Sequence, residues 1–204
     1  ASVLALELFT DEGLELVMRH AGVSPPFAAR RPVYLLVEVG DATDPTDELV
    51  QALDALDADS ESVAVASDGA GRHRLWQLRE RHTEAINTEG VPHKLDVSVP
   101  IDRYAELVDQ APVFVAAVDG SARTISYGHV GDGNLHVSVL GPAHDDEATD
   151  DAVLELVLSL GGSVAAEHGI GVAKVGWLVR DRGVEAVAAM RAKPKGTLED
   201  WVEL

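Results

Sequence analysis

The sequence predicts an α+β fold, with a layer of helices over an antiparallel or mixed sheet, and three observations carry that expectation. β-Prone runs alternate with longer stretches of helical periodicity, and two of those runs flank the hairpin signal Asp132-Gly133. No Gly-rich dinucleotide loop follows the first strand, and neither GxGxxG after a strand nor GxxxxGK[ST] occurs, which disfavours a Rossmann or P-loop architecture.

Taken in order, apolar residues recur at roughly helical spacing from Ser2 to His20 (Val3, Leu6, Leu14, Val17, Met18), so a first helix is expected there, ended by Ser24-Pro25-Pro26. Val33 to Val39 reads as a β-branched strand closed by Gly40. Asp44 to Asp57 reads as a helix through Leu49, Leu53 and Leu56, and Ser62 to Ala66 as a second strand. Gly71 to Asn87 carries Leu75, Leu78, Thr83 and Ile86 on a helical period. Leu95 to Val99 alternates like a strand until Pro100 stops it, and Asp102 to Gln110 reads as a helix leading to a strand at Val113 to Val118. Two more strands flank Gly131 to Asn134. A helix from Asp145 to Leu160 follows, then a Gly-rich segment from Gly161 to Gly171 and a mostly helical tail from Val172 to Met190.

Composition narrows the function classes. A chain of 204 residues suffices for one sizeable core or two small ones. Its 16 Lys and Arg against 35 Asp and Glu leave a formal charge of −19, which argues against nucleic acid and against an anionic membrane surface. The absence of cysteine excludes disulfides, thiolate metal sites, iron–sulfur clusters and a Cys nucleophile, leaves His, Asp and Glu as metal ligands, and fits a reducing cytoplasm. No apolar run approaches the roughly 20 residues of a membrane-spanning helix, and Ala1 to Thr10 has neither an initiator Met nor a basic leader, so a fragment without a signal peptide is expected.

GHVGDGNLHVSV, Gly128 to Val139, is the most informative stretch. A tight turn centred between Asp132 and Gly133 pairs Gly131 with Asn134, Val130 with Leu135 and His129 with His136, so both imidazoles leave the same sheet face. Opposed side chains have Cβ atoms about 5 Å apart, close enough to ligate one ion. The plainer reading is a Gly-rich loop whose histidines face solvent or core. GGSVAAEHGIG, Gly161 to Gly171, sets Glu167 and His168 between flexible glycines, where a carboxylate can complete a His-His-Glu site with an open position and His168 suits a general base. Here the plainer reading is a helix N-terminus with a capping acid. Arg79 and Thr83 are four residues apart on one helix face, a guanidinium beside a hydroxyl that suits a carboxylate, and Lys94 offers a second cation. Arg72, Arg74 and Arg81 read as a solvated face, and Asp68, Glu80, Asp96 and Asp119 as surface or capping groups.

LWQLRERHTEAI (Leu75 to Ile86), HKLDVSVP (His93 to Pro100), YGHVGDGNLHVSV (Tyr127 to Val139) and GGSVAAEHGIG together resemble the C-terminal domain of FAD-linked oxidases of the vanillyl-alcohol oxidase type. The similarity is to the branch acting on D-2-hydroxy acids: D-lactate dehydrogenase, the glycolate oxidase flavin subunit and D-2-hydroxyglutarate dehydrogenase. The resemblance implies one domain over residues 1–204, a substrate-side cap with a ferredoxin-like core, set over FAD held by a separate N-terminal domain and inactive without it. It implies His129, His136 and Glu167 as ligands of a divalent metal, zinc or manganese, His168 as the base, and Arg79, Thr83 and Lys94 as the groups holding substrate carboxylates. The implied partners are a small 2-hydroxy acid and the flavin domain, without a membrane span, and a homodimer is among the expected assemblies. Two departures stand out: Ser138 where the family often has Asn, and Glu199-Asp200 where the closing segment after Lys195-Gly196-Thr197-Leu198 usually has Asn-Pro. The competing expectations are a stand-alone α+β module that binds a metal or carboxylate without redox chemistry, and a structural cap kept for oligomer contacts.

Overall fold

The computed structural model describes residues 2–56, 58–170 and 174–192. β1 (Ser2–Thr10) runs directly into α1 (Asp11–Ala21), whose acidic first turn and basic last turn complement the helix dipole and whose end is capped by Gly22 in the left-handed region. The expected first helix is therefore half strand. Leu14, Val17 and Met18 of its apolar set belong to the helix, where Leu16 joins Leu14 and Val17 in the core, whereas Val3 and Leu6 lie in a strand paired on both sides.

β2 (Val33–Gly40), α2 (Thr46–Ala55), α3 (Gly69–Glu80), α4 (His82–Glu89), β3 (His93–Ser98) and α5 (Tyr104–Val118) follow. Ser62 to Ala66 joins no ladder, so the strand expected there is absent. The strand expected at Val113 to Val118 is the second half of α5, which continues through Pro112. Leu107, Ala111 and Val115 recur every four residues and are fully buried against the sheet, and this packing outweighs the hydrogen bond that proline removes. β4 (Arg123–His129), β5 (Asn134–Leu140), α6 (Ala148–Ser159), α7 (Val175–Arg182) and α8 (Val184–Ala192) complete the order.

The five strands form one sheet in the order β2-β1-β4-β5-β3, every neighbour antiparallel. β5 lies between β3 and β4, which α5 connects; this split β-α-β is the ferredoxin-like element of an α+β fold. Helices cover both faces. Leu95, Val97, Leu135, Val137 and Val139 pack with α5 and α6 on one face. On the other, Phe9, Tyr34, Ile125 and Tyr127 meet Leu14 and Val17 of α1, Leu78 of α3 and Ile86 of α4. The segment Lys195 to Asp200 lies outside the described residues.

The β4–β5 turn corrects the sequence expectation. Residues 130–132 make a 3-10 turn and Gly133 takes φ +76°, a conformation that favours glycine, and a Cβ there would meet the Val99 carbonyl at 2.1 Å. The connection thus spans four residues, and His129 opposes Asn134 while His136 opposes Tyr127. Because the slip is two residues, each side chain keeps its face. His129 and His136 remain on one face as diagonal rather than opposed neighbours.

Candidate metal and carboxylate site

The site grows from the alternation of four adjacent strands. Residues Phe9, Tyr127, His136 and Asp96 stand in one cross-strand row, and Glu7, His129, Asn134 and Ser98 in the next, all on the face carrying α1, α3 and α4. The two imidazole centroids of His129 and His136 are 5.6 Å apart.

Residues 161–170 come over this face as an irregular loop rather than a helix N-terminus. Ser98 and Ser163 exchange both backbone hydrogen bonds, at 3.1 and 2.8 Å, and the approach requires Gly162, whose Cβ would sit 2.3 Å from the Ser98 carbonyl. The loop brings Glu167 to 3.7 Å from His129 Nε2 and His168 to a ring separation of 5.8 Å from His136. One ligand atom from each of His129, His136 and Glu167 lies within 4.8 Å of the others, and Asp96, His136 and His168 form a second such group.

Each sheet imidazole is backed by a buried carboxylate. His129 Nδ1 lies 2.7 Å from Glu7 Oε1, and His136 Nδ1 lies 3.2 Å from Asp96 Oδ1, the latter a charge contact rather than an aligned hydrogen bond. An acid facing Nδ1 favours the proton there and leaves the Nε2 lone pair for a ligand. Burial moves His136 below the usual imidazole range, a shift that Asp96 opposes. Two imidazole nitrogens and a carboxylate oxygen at this spacing match the donor preferences of zinc and manganese.

Arg79 of α3 is buried over the same face. Its guanidinium stacks 4.8 Å from the Tyr127 ring, and its Nε approaches Glu7 Oε2 at 2.8 Å as an ion pair whose N–H is not aligned for a hydrogen bond. Thr83 Oγ1 is 2.9 Å from the Tyr127 hydroxyl. Arg72 and Arg81, by contrast, pair with Glu38 and Glu84 at the surface. Lys94 stands in β3 on the site face, beside Asp96 and opposite Ser138, but it is exposed and not drawn into the cluster.

Four residues escaped the sequence reading as parts of the site. Asp68 and Asp119 cap a helix and a turn as expected, but Asp96, expected at the surface, is 7% exposed and faces His136 and the loop. Its signal was present: Leu95 and Val97 are apolar neighbours on the core face, so Asp96 must take the other. Glu7 was hidden by the helical assignment of its segment. Tyr127 and Lys174 carried no local mark.

The fold is an α+β sheet covered by helices, carrying His, Asp and Glu groups spaced so that they could hold a metal ion, and the chain's sequence matches FAD linked oxidases, C-terminal domain, over residues 1–195. The chain belongs to this family. It is 31% identical over 212 residues to a protein named D-2-hydroxyglutarate dehydrogenase, mitochondrial, from Danio rerio, covering 98% of this chain and 39% of that protein. Proteins of that name from Bos taurus (35% over 213 residues, 97% and 38%) and, without "mitochondrial", from Xanthomonas citri pv. viticola (36% over 201 residues, 92% and 42%) are similarly related. The chain thus spans about two fifths of the length of these relatives. Among the described residues no helix is long and apolar enough to cross a membrane.

Proposed function

We propose that residues 1–204 are the substrate- and metal-binding domain of an FAD-dependent oxidoreductase that converts a D-2-hydroxy acid to the 2-oxo acid. The observation that carries this reading is the convergence of His129, His136 and Glu167, with the Nδ1 edges of both sheet histidines turned to carboxylates. Family membership and the names of the relatives supply the redox half.

His129, His136 and Glu167 would hold zinc or manganese. When bound, the metal polarises the substrate hydroxyl and carboxylate, and FAD, held by a separate domain, accepts the hydride. The chain's own residues bind, orient and move a proton. His168, on the loop beside His136, takes the hydroxyl proton at its imidazole nitrogen. Arg79 is oriented by Glu7 and Tyr127, which leaves its terminal Nη groups for a substrate carboxylate; Thr83 and exposed Lys94 flank that position. Dicarboxylate substrates of the 2-hydroxyglutarate type fit two cations better than monocarboxylates. The lack of cysteine suits a reducing compartment such as the cytoplasm.

Metal content after zinc or manganese loading and desalting tests the metal half. Near-stoichiometric metal is expected in the chain and none in the His129→Ala, His136→Ala double variant; metal absent from both overturns the reading. In the flavin-bearing protein, His168→Ala is expected to abolish flavin reduction with metal content intact, and unchanged reduction would remove His168 from its role.

A further inference from the structure

Two buried groups outside the ligand and substrate sets meet at the base-bearing loop. Asp96 Oδ2 accepts the backbone N–H of His168 at 2.7 Å, while its Oδ1 faces His136 Nδ1. The backbone carbonyl of the same residue accepts Lys174 Nζ at 2.7 Å, and that ammonium donates equally to the Val164 carbonyl, again at 2.7 Å. Lys174, 9% exposed, stands one residue before α7. From within α7, Asp181 Oδ2 accepts Ser163 Oγ at 2.9 Å and Val164 N–H at 3.2 Å.

We propose that Asp96 and Lys174 form a clamp that sets the distance and angle between the base His168 and the metal ligand His136. Both are positioning residues. The inference rests on the metal reading above and goes beyond it by assigning what holds the loop on the sheet. Between Val164 and Ile170 the loop has no strand or helix ladder of its own; the His168 backbone bond to Asp96 holds its far part, and at its start the Lys174 bond to the Val164 carbonyl, tied to β3 through the Asp96 carbonyl, joins the Asp181 bonds to Ser163 and Val164. One carboxylate spans ligand and base: Oδ1 backs the ligand's ring while Oδ2 holds the base's backbone. Charge-assisted bonds at 2.7 Å are short and directional, which suits a loop that must present two groups to one substrate. Lys174 closes the arrangement by tying β3 and the loop's first residues to the helix that follows.

The test uses the whole chain, Co(II) as the metal probe, and amide hydrogen exchange of residues 163–170, comparing Asp96→Asn, Lys174→Met, Lys174→Arg and, as a purely structural control, Val157→Ala. Asp96→Asn and Lys174→Met are expected to raise His168 amide exchange at least tenfold, to weaken Co(II) binding about 10- to 100-fold, and to alter its visible ligand-field spectrum. Lys174→Arg, which keeps donors for both carbonyls, should recover most of the loss, and Val157→Ala should leave the spectrum unchanged. Unaltered exchange and affinity in both Asp96→Asn and Lys174→Met overturn the clamp. So does Asp96→Asn abolishing Co(II) binding while His129→Ala retains it, since Asp96 would then be a ligand. If the unmodified chain takes up no metal yet Asp96→Asn still unprotects His168, the metal reading fails and the clamp stands.

Discussion

The two faces of β5 divide the molecule's work. Leu135, Val137 and Val139 point to α5 and α6 and are fully buried in an aliphatic layer. Asn134, His136 and Ser138, alternating with them, point to the face where Glu7, Asp96, His129 and Arg79 gather. The first face gains free energy by removing hydrocarbon from water; the second loses it by burying groups that must be paired. Neither face would serve without the other. A sheet of continuous apolar strands would have no chemistry, and one polar on both faces would have no core to hold paired charges at fixed distances.

The sharpest way to break this division is to delete equal bulk from each side of one strand. Leu135→Ala is expected to destabilise by about 2–5 kcal/mol in denaturant unfolding, because it leaves a cavity among fully buried side chains. His136→Ala, next along the strand but on the site face with its side chain partly exposed, should cost much less stability while removing metal binding. Equal losses would show that both faces are structural.

Second in size is the Glu7–Arg79 pair. Both side chains are almost fully buried, so Glu7→Gln strands a guanidinium charge and is expected to cost about 3 kcal/mol. The double variant Glu7→Gln, Arg79→Met, which removes the stranded charge, should recover part of that loss. If the single variant is neutral, Arg79 has another anion and the assignment of Glu7 as its orienting partner fails.

These two sites also show what was legible in the sequence. The apolar face of β5 could be read directly, because Leu135, Val137 and Val139 alternate within one segment. His129, His136, Glu167 and His168 were legible for the same local reason: each pair sits within a few residues of glycines that mark a turn. Even the incorrect turn length did no harm, since a slip of two preserves the face. Glu7 and Asp96 were not legible as site residues. Each belongs to the site only through a strand far away in sequence, β4 for Glu7 and β5 for Asp96, and local periodicity carries no information about which strands adjoin. The same limit produced the errors at Ser2 to Thr10 and Val113 to Val118, where tertiary pairing or packing overrode the local pattern.

A pH measurement sharpens the comparison on the site face alone. His82 is fully buried between the rings of Phe9 and Tyr127, and burial lowers its pKa from 6.5 to about 4. The unfolded chain therefore binds more protons than the folded one between those values, so stability falls as pH drops from about 6.5 toward 4, by at most ~3 kcal/mol. Unfolding curves for His82→Phe should lack this component. A slope that survives the substitution would assign acid sensitivity elsewhere, with Asp150, raised by burial beside His93, contributing the opposite sign.

The smallest expected effect concerns how firmly the site face holds the helix that delivers Arg79. α3 begins GlyAlaGly, a poor helix-forming start, and only Gly71, Leu78 and Arg79 of its residues are buried. Its N-terminus depends on Asp68, whose carboxylate accepts the Gly71 N–H at 2.6 Å. Asp68→Ala should therefore cost about 1 kcal/mol, the usual value of a helix N-cap. Because Arg79 lies near the far end of α3 and is held there by Glu7 and Tyr127, the loss should appear as faster amide exchange in the first turn, with metal affinity unchanged. If metal affinity falls as well, α3 acts as a rigid lever from its cap to the site, and the ion pair at Arg79 does not anchor that end by itself.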